Sequence, residues 1–327
     1  MQSTLAESIR SLERRRKSLL LTAALGGIAA SAALGLIALS VPSIFWQLLG
    51  ASAGRPPAYA LWPSVLALGI CAAYFSSLWG VTKYRWAFKN EVVHRLIKTV
   101  DASIAYEPAL GINQADFQRS GLFFMQPNWY HTEDQIRGTV HGALFTAAEV
   151  NAEYRSHDSK GDKVSDTIFS GLFVKIELPS ALSERVVIVS DDAEFLSRTA
   201  AKVLQSFDIT KPGRVVRFDE DSAFEDVYAV YAASEDEARG LLTPAFRRQL
   251  TDLRERSFDE IRIAFSTNEI YVAVTNDDVV LSLPHTTELT KFEPSLWRSL
   301  TDANRLETHA EHVRLVLKLV RTLVERG

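Results

Sequence analysis

The chain has 327 residues and a formal net charge of −4, with 36 Lys and Arg against 40 Asp and Glu. Residues 83–327 hold 30 of those basic and 38 of those acidic residues, an excess that argues against a nucleic-acid surface there and against close contact with an anionic leaflet, except at the basic collars that flank the uncharged runs. A single cysteine, Cys71, excludes an intramolecular disulfide and any site built from several thiolates, and it fits a reducing compartment.

The chain opens on a basic stretch, residues 1–18, with Arg10, Arg14, Arg15, Arg16 and Lys17. Residues 19–41 then contain only Leu, Ala, Gly, Ile, Ser, Thr and Val. As a helix this run rises about 35 Å, enough to cross a hydrocarbon core of roughly 30 Å. Residues 59–81 form a second run of the same length, with Pro63 near its start, where a missing N–H costs least. The link between them carries Phe45, Trp46, Pro56 and Pro57, and Tyr59 and Trp62 follow, so aromatic rings gather at one water boundary. Arg55 is the one basic residue of the link, whereas Lys83, Arg85 and Lys89 follow the second run. The excess of positive charge at both outer flanks predicts a transmembrane hairpin, 19–41 and 59–81, in the bacterial inner membrane with both termini cytoplasmic. A cleaved signal peptide would use the same basic start and the small residues at 51–53, but the apolar stretch is too long for one.

Past the second run, Tyr84, Phe88, Val92, Leu96, Val100 and Ile104 recur every four residues, with Val93 and Ile97 beside them. No proline or glycine separates them from Val81. The spacing predicts a stiff helical stalk over 82–105, leaving 106–327 as a cytoplasmic domain.

Beyond Gly111 the period shifts to alternation, in runs at 135–154, 167–178, 185–190, 213–218 and 227–231. These are expected strands, the first run holding more than one. Ile261, Ile263 and Phe265 against Ile270, Val272 and Val274, with Thr267 and Asn268 between, predict a hairpin. Because few helices long enough for crossovers separate the strands, the expected class is α+β, with a mainly antiparallel sheet and a C-terminal helix. Residues 156–166 read as a polar loop.

Helices are expected among the strands. Phe195, Leu196, Thr199, Val203 and Leu204 suggest a short one, and Ser234 with Glu237 forms a capping box that opens another. That second helix should break at Thr243 and Pro244 and restart with Phe246, Leu250 and Leu253 inward. The last helix, from Pro294 or Thr301 to Glu325, places Leu306, Ala310, Val313, Leu317, Val320 and Val324 on one seam. Leu315, Val316, Leu319 and Leu323 widen that seam, which favours docking on the sheet over a coiled coil.

No residue cluster reaches the level of a catalytic signature. There is no GxxxxGK[ST] loop and no GxGxxG, so neither a kinase nor a dehydrogenase is expected. His309 and His312 have a spacing that can place two imidazoles on a metal, but they fall on the flank and outer face of the last helix, with Glu311 nearby and no third ligand evident. Acidic clusters at Glu133 with Asp134, Asp191 with Asp192, 219–221, and Asp277 with Asp278 could supply carboxylates for acid–base work or a divalent cation. All read as strand ends or turns, where Asp is favoured for geometry alone. His131, Glu133 and Asp134 are the most suggestive of these, three ionisable groups within four residues. No residue is assigned as catalytic, cofactor-binding or metal-binding, and no cofactor is expected.

Several stretches carry a family resemblance. They are Ser120 to Phe123, Tyr130 with Glu133, Asp134, Ile136 and Gly138, and Phe169 with Gly171, Leu172 and Phe173. Phe224 to Tyr231, Glu237 to Arg239, Leu242, Thr243, Pro244, Phe246 and Ile270 to Val274 complete the set. At these residues the chain resembles a bacterial family of two-pass membrane proteins known as domain of unknown function 3137. The resemblance implies two spans followed by a cytoplasmic β-rich domain, and it implies no activity. His131 departs from it, standing where a small residue is expected.

The expected function is therefore a membrane-tethered binding or scaffolding module, whose partners are the bilayer and a protein, peptide or lipid headgroup. The alternative is a membrane-attached hydrolase or metal-dependent enzyme using the acidic turns. Scattered ionisable groups favour the first, since an enzyme concentrates them in one cleft.

Overall fold

The computed structural model describes residues 2–40, 67, 69–71, 80–123, 125–158, 161–179, 182, 184–190, 213–257, 260–275, 294, 299–300 and 303–325. The chain divides into two compact units, Met1–Arg95 with Glu293–Leu306, and Leu96–Phe292 with Glu307–Gly327.

In the first unit, one helix, α1 (Gln2–Ser40), runs without a break from the basic start into the first uncharged run. Its early turns are held by burial and a buried ion pair. Leu12 is fully buried, and Glu13 receives both Nε and Nη2 of Arg16, at 3.0 and 2.6 Å. Leu300 N donates to the same carboxylate at 3.1 Å. The Arg16 guanidinium is the largest cause that holds the Glu13 carboxyl down at about 2. From Leu19 onward the helix surface changes character: Leu21, Leu25, Ile28 and Leu36 are 56% to 66% exposed.

Residues 67, 69–71, 80 and 81 of the second run are helical. A Cβ on Gly69 would fall on the Ser31 hydroxyl and 2.9 Å from the Gly27 carbonyl, and one on Gly80 would fall on the Leu19 side chain. The contacts run in opposite chain order, so the two helices are antiparallel, and glycine permits their close approach. Among the described residues no helix is long and apolar enough to cross a membrane. The rest of the second run and the link at 42–58 lie outside the described residues.

Helical residues 80–88 continue into a π turn, Lys89–Val93, and then into α2 (His94–Val100). Tyr84, Phe88, Val92 and Val93 are buried, as the four-residue spacing requires. The helix stops short of the expected residue 105. Asp101 Oδ1 accepts from the backbone N–H and the hydroxyl of Ser103, forming a turn after α2, and Ile104 is buried from beyond it.

The second unit is built on an antiparallel sheet, nine-stranded among the described residues. Its strands are β1 (Ala105–Glu107), β2 (Trp129–Val140), β3 (Ala143–His157), β4 (Lys163–Glu177), β5 (Val186–Ser190), β6 (Arg214–Val216), β7 (Tyr228–Ala232), β8 (Glu260–Phe265) and β9 (Glu269–Thr275). They lie in the order β1-β2-β3-β4-β9-β8-β5-β7-β6. With the C-terminal helix this is the expected α+β class.

The first alternating run is two strands, β2 and β3, joined at His141 and Gly142 with φ of 48° and 83°. Two positive φ values make the hairpin turn whose twist matches the strands, and the second suits glycine. The expected hairpin near residue 267 is β8–β9. The expected polar loop at 156–166 is largely strand: β3 and β4 stay paired out to His157 and Lys163. Alternation fades there because both faces of the hairpin end meet water, with Arg155, Val164, Ser165 and Asp166 all exposed.

Residues directly opposite across strands share a face, which sorts the core in two. One face holds Val150, Phe169, Phe173, Val187, Tyr231 and Tyr271, covered by Phe117 of α3 (Gln114–Arg119). Phe117 and Phe123 stack at 4.5 Å and Phe117 meets Phe173 at 5.3 Å. The other face holds Phe145, Ile176, Ile270 and Phe265, and Phe246, from the helix Pro244–Ser257, meets Phe265 at 6.3 Å.

The chain reaches α6 (Pro244–Ser257) through α4 (Ser222–Glu225), β7 and α5 (Glu235–Leu241). Ser234 caps α5 by accepting from Glu237 N at 3.4 Å, and the break at Thr243 and Pro244 falls where expected. The reciprocal half of the box is missing, since Glu237 Oε2 is buried without a hydrogen-bond partner. In α7 (Ala303–Glu325) Ala310, Val313, Val316, Leu317, Leu319, Val320 and Leu323 are buried, a face too wide for a coiled-coil seam. The expected helix after Asp192, and the side chain of Leu306, lie outside the described residues.

Candidate functional site

The site begins with an irregularity in β2. Pairing with β3 is regular from Trp129 to Glu133, which sits directly opposite Glu149, and resumes at Ile136 opposite Ala147. Asp134 and Gln135 form the bulge between, and Asp134 adopts a φ of 58°. Their N–H groups leave β3 and donate to Pro108 O at 3.2 Å and Leu110 O at 3.1 Å, while Gln135 Nε2 donates to Gly111 O at 2.7 Å. Residues 108–112 thus strap the bulge. Gly111 has no room for a side chain, because a Cβ would strike Thr132.

The result is a convergence of carboxylates. Glu133, Asp134 and Glu149 each offer an oxygen within 4.8 Å of the others, and Asp134 and Glu149 are each 3% exposed. Tyr106 of β1 donates to Asp134 Oδ1 at 2.5 Å. Burial pushes the Tyr106 phenol far above its ordinary range, and the nearby charge of Asp134, with smaller effects from Glu133 and Glu149, adds to it. Asn151 Nδ2 donates to Glu149 Oε1 at 3.3 Å. Three hard oxygen donors of this kind suit a divalent cation or a shared proton.

The sequence placed Glu133 and Asp134 at a strand end or turn; the structure puts them inside β2, at its bulge. Glu149 and Tyr106 were missed. The signal for Glu149 was a lone carboxylate in the apolar run Ala147, Ala148, Val150. His131 stays outside the trio, exposed and stacked on Trp129 at 6.1 Å, and Arg155 lies over Trp129 at 3.8 Å. By strand pairing, Trp129, His131, Asn151, Glu153, Arg155 and Ser170 share one face with Glu133 and Glu149. Ser170 donates to Asn151 at 2.6 Å and Ser165 to Glu153 at 2.6 Å, so this end of the sheet is polar and hydrogen-bonded.

The other sequence candidates resolve differently. Asp221 caps α4 and pairs with Arg247 at 2.8 Å, and Glu220 pairs with Arg239 at 3.2 Å and Arg247 at 3.3 Å. That cluster ties the start of α4 to α5 and α6. His312, expected on the outer face of α7, is buried, and burial pushes its imidazole down to about 4. Its ring lies 6.2 Å from that of His309. Among the described residues, three potential metal ligands come together at Glu133, Asp134 and Glu149. Asp191, Asp192, Asp277 and Asp278 lie outside the described residues.

Comparison with known proteins bears on the sheet and not on the acidic trio. Residues 167–324 match a family described as a protein of unknown function, DUF3137. The DUF3137 match opens in β4 and closes in α7, so it excludes Tyr106, Glu133, Asp134 and Glu149. The resembling stretches at 120–138 also fall outside it. The crystal structure of the mycobacterial trehalose monomycolate transport factor A, TtfA, is 12% identical, with 71% of this chain and 96% of that one covered. Its TM-score of 0.30 is too low to carry an inference about this chain. No curated protein matches the sequence.

Proposed function

We propose that the protein is a membrane-tethered binding module, with residues 19–41 and 59–81 as two spans of the inner membrane and both termini in the cytoplasm. The observation that carries this reading is the surface of the helical hairpin. Leu21, Leu25, Ile28, Leu36 and Ile70 are each more than half exposed, while small residues, Gly27, Ser31 and Gly69, take the helix–helix contact. Apolar side chains outward and small residues inward is the arrangement lipid favours. The recognition surface is the polar end of β2, β3 and β4, where Trp129, His131, Asn151 and Arg155 stand on a rigid sheet. Its partner is a protein, peptide or lipid headgroup.

Labelling with an impermeant maleimide on intact cells tests the topology. In a Cys71→Ser background, a cysteine at Ser52 should label and one at Ser257 should not. The reverse pattern inverts the arrangement, and equal labelling of both in intact cells removes the membrane from it.

A second reading, a metal-dependent enzyme, draws on the convergence of Glu133, Asp134 and Glu149. If those carboxylates hold Mg²⁺, Mn²⁺ or Ca²⁺, the ion should raise the melting temperature in a saturable way, by an amount that grows with concentration over Kd. Glu133→Gln with Asp134→Asn should abolish that shift. Melting that is indifferent to all three ions sinks this second reading.

A further inference from the structure

The helix that returns from Gly80 carries one residue more than an α-helix with the same buried side would hold. It is α-helical to Phe88 and again from His94, and between them runs the π turn Lys89–Val93, closed by His94 N–H donating to Lys89 O five residues back. In an unbroken α-helix, at about 100° per residue, Phe88 would stand about 40° round from Tyr84, Val92 about 80° and Val93 about 180°, facing away. Yet Val92 and Val93 are both fully buried, as are Tyr84 and Phe88. The π turn takes up one residue, which brings Val93 back to about 80° and Val92 to within about 20° of Tyr84. α1 lies along this stretch, with Arg15 Nη1 3.7 Å from Glu91 Oε1 and Arg95 donating to Ser8 Oγ. On the outer side Asn90 is exposed, and its side-chain amide donates to the Trp86 carbonyl at 2.8 Å, a side-chain donor set into the helical ladder at the turn. A chain shorter by Asn90 would hold the same four apolar side chains on one side of a plain α-helix.

We infer that the π turn is a register joint. Its spare residue moves along the helix, and the stretch it passes turns by about 100° against α1 without a break in the backbone. The side chains set the direction. Moved toward Gly80, the turn would swing Phe88 aside and set Lys89 in its place, which strips an ammonium of water and loses the larger apolar group. Moved toward α2, it sets Val92 in the place of Val93 and turns Val93 to water, at the cost of one buried valine. The second register therefore exposes Val93 and keeps Val92 covered. The joint needs only the helix pair of the first unit and stands apart from the membrane reading.

Thiol labelling of the full-length protein in detergent, in a Cys71→Ser background, tests the joint. Without denaturant, the thiol of Val93→Cys should react with a maleimide at least about tenfold faster than that of Val92→Cys, because the shift opens one position and not the other. Deleting Asn90 removes the spare residue. The shortened protein should keep its helical circular dichroism and its cooperative melt, and the Val93→Cys thiol should then react as slowly as that of Val92→Cys. Asn90→Ala, which keeps the residue, should leave that labelling fast. Equal rates at the two positions in the full-length chain would mean local unfolding in place of a shift, and labelling at neither short of global unfolding would mean a fixed turn. A deletion that unfolds the chain or leaves Val93→Cys fast, or slow labelling in Asn90→Ala, would show that no spare residue moves. Each of these results overturns the inference.

Discussion

Tyr106 shows how one hydroxyl can hold a charged site in place. It is 2% exposed and donates to a carboxylate that is itself buried, so Tyr106→Phe removes a donor without opening space. The substitution should cost about 1–3 kcal/mol in chemical denaturation, the penalty for a buried polar group deprived of a partner. His312 makes a pH-dependent contribution of the opposite kind. Its folded-state pKa is depressed to about 4 from 6.5 by burial, so below 6.5 the unfolded chain takes up a proton that the folded one refuses. Stability is present above about 6.5 and is lost as pH falls toward about 4, by about 3 kcal/mol. His312→Leu should flatten that limb of the melting temperature against pH. An unchanged acid limb would show that other groups govern it.

At the scale of elements, α7 carries the clearest commitment. Leu319 is fully buried beside Val316, Val320 and Leu323. Leu319→Ala should lower stability by about 2–5 kcal/mol, as for other buried leucines, and leave the oligomeric state unchanged. Loss of self-association with melting untouched would make the helix a coiled-coil partner after all. The cap of α5 sets a smaller scale. Ser234→Ala removes the acceptor for Glu237 N and should cost about 1 kcal/mol. Because Glu237 makes no reciprocal bond through its buried oxygen, Glu237→Ala should cost less than Ser234→Ala in the same assay.

For the whole molecule, the division into two units defines where the chain can be cut. A fragment beginning at Leu96 keeps the nine-stranded sheet, both of its packed faces and α7. It should be soluble, with mixed helical and strand circular dichroism and a single cooperative melt. A product that binds ANS and melts without cooperativity would mean that the first unit completes its core. A fragment from Lys83 should be less well behaved, because Tyr84, Phe88, Val92 and Val93 are buried within the first unit and would lose their cover.

The sequence alone determined the elements whose signal is periodic. The four-residue spacing from Tyr84, the alternation on either side of Thr267 and Asn268, the break at Pro244 and the wide face of the last helix are local patterns, and burial of one face is enough to impose them. The end of the stalk at Val100 comes from a turn at Asp101 and Ser103, and the β3–β4 hairpin runs on past the point where its alternation fades, whereas the burial of His312 was decided by tertiary packing. The acidic trio is the sharpest case. Glu133 and Asp134 were visible as a charged pair, but Glu149 joins them only through the register of β2 against β3, and Tyr106 only through the pairing of β1 with Ile136. Register is set by packing over the whole sheet and by a bulge whose freed N–H groups need the carbonyls of Pro108 and Leu110. No local pattern encodes that requirement, so tertiary structure alone could bring the three carboxylates together.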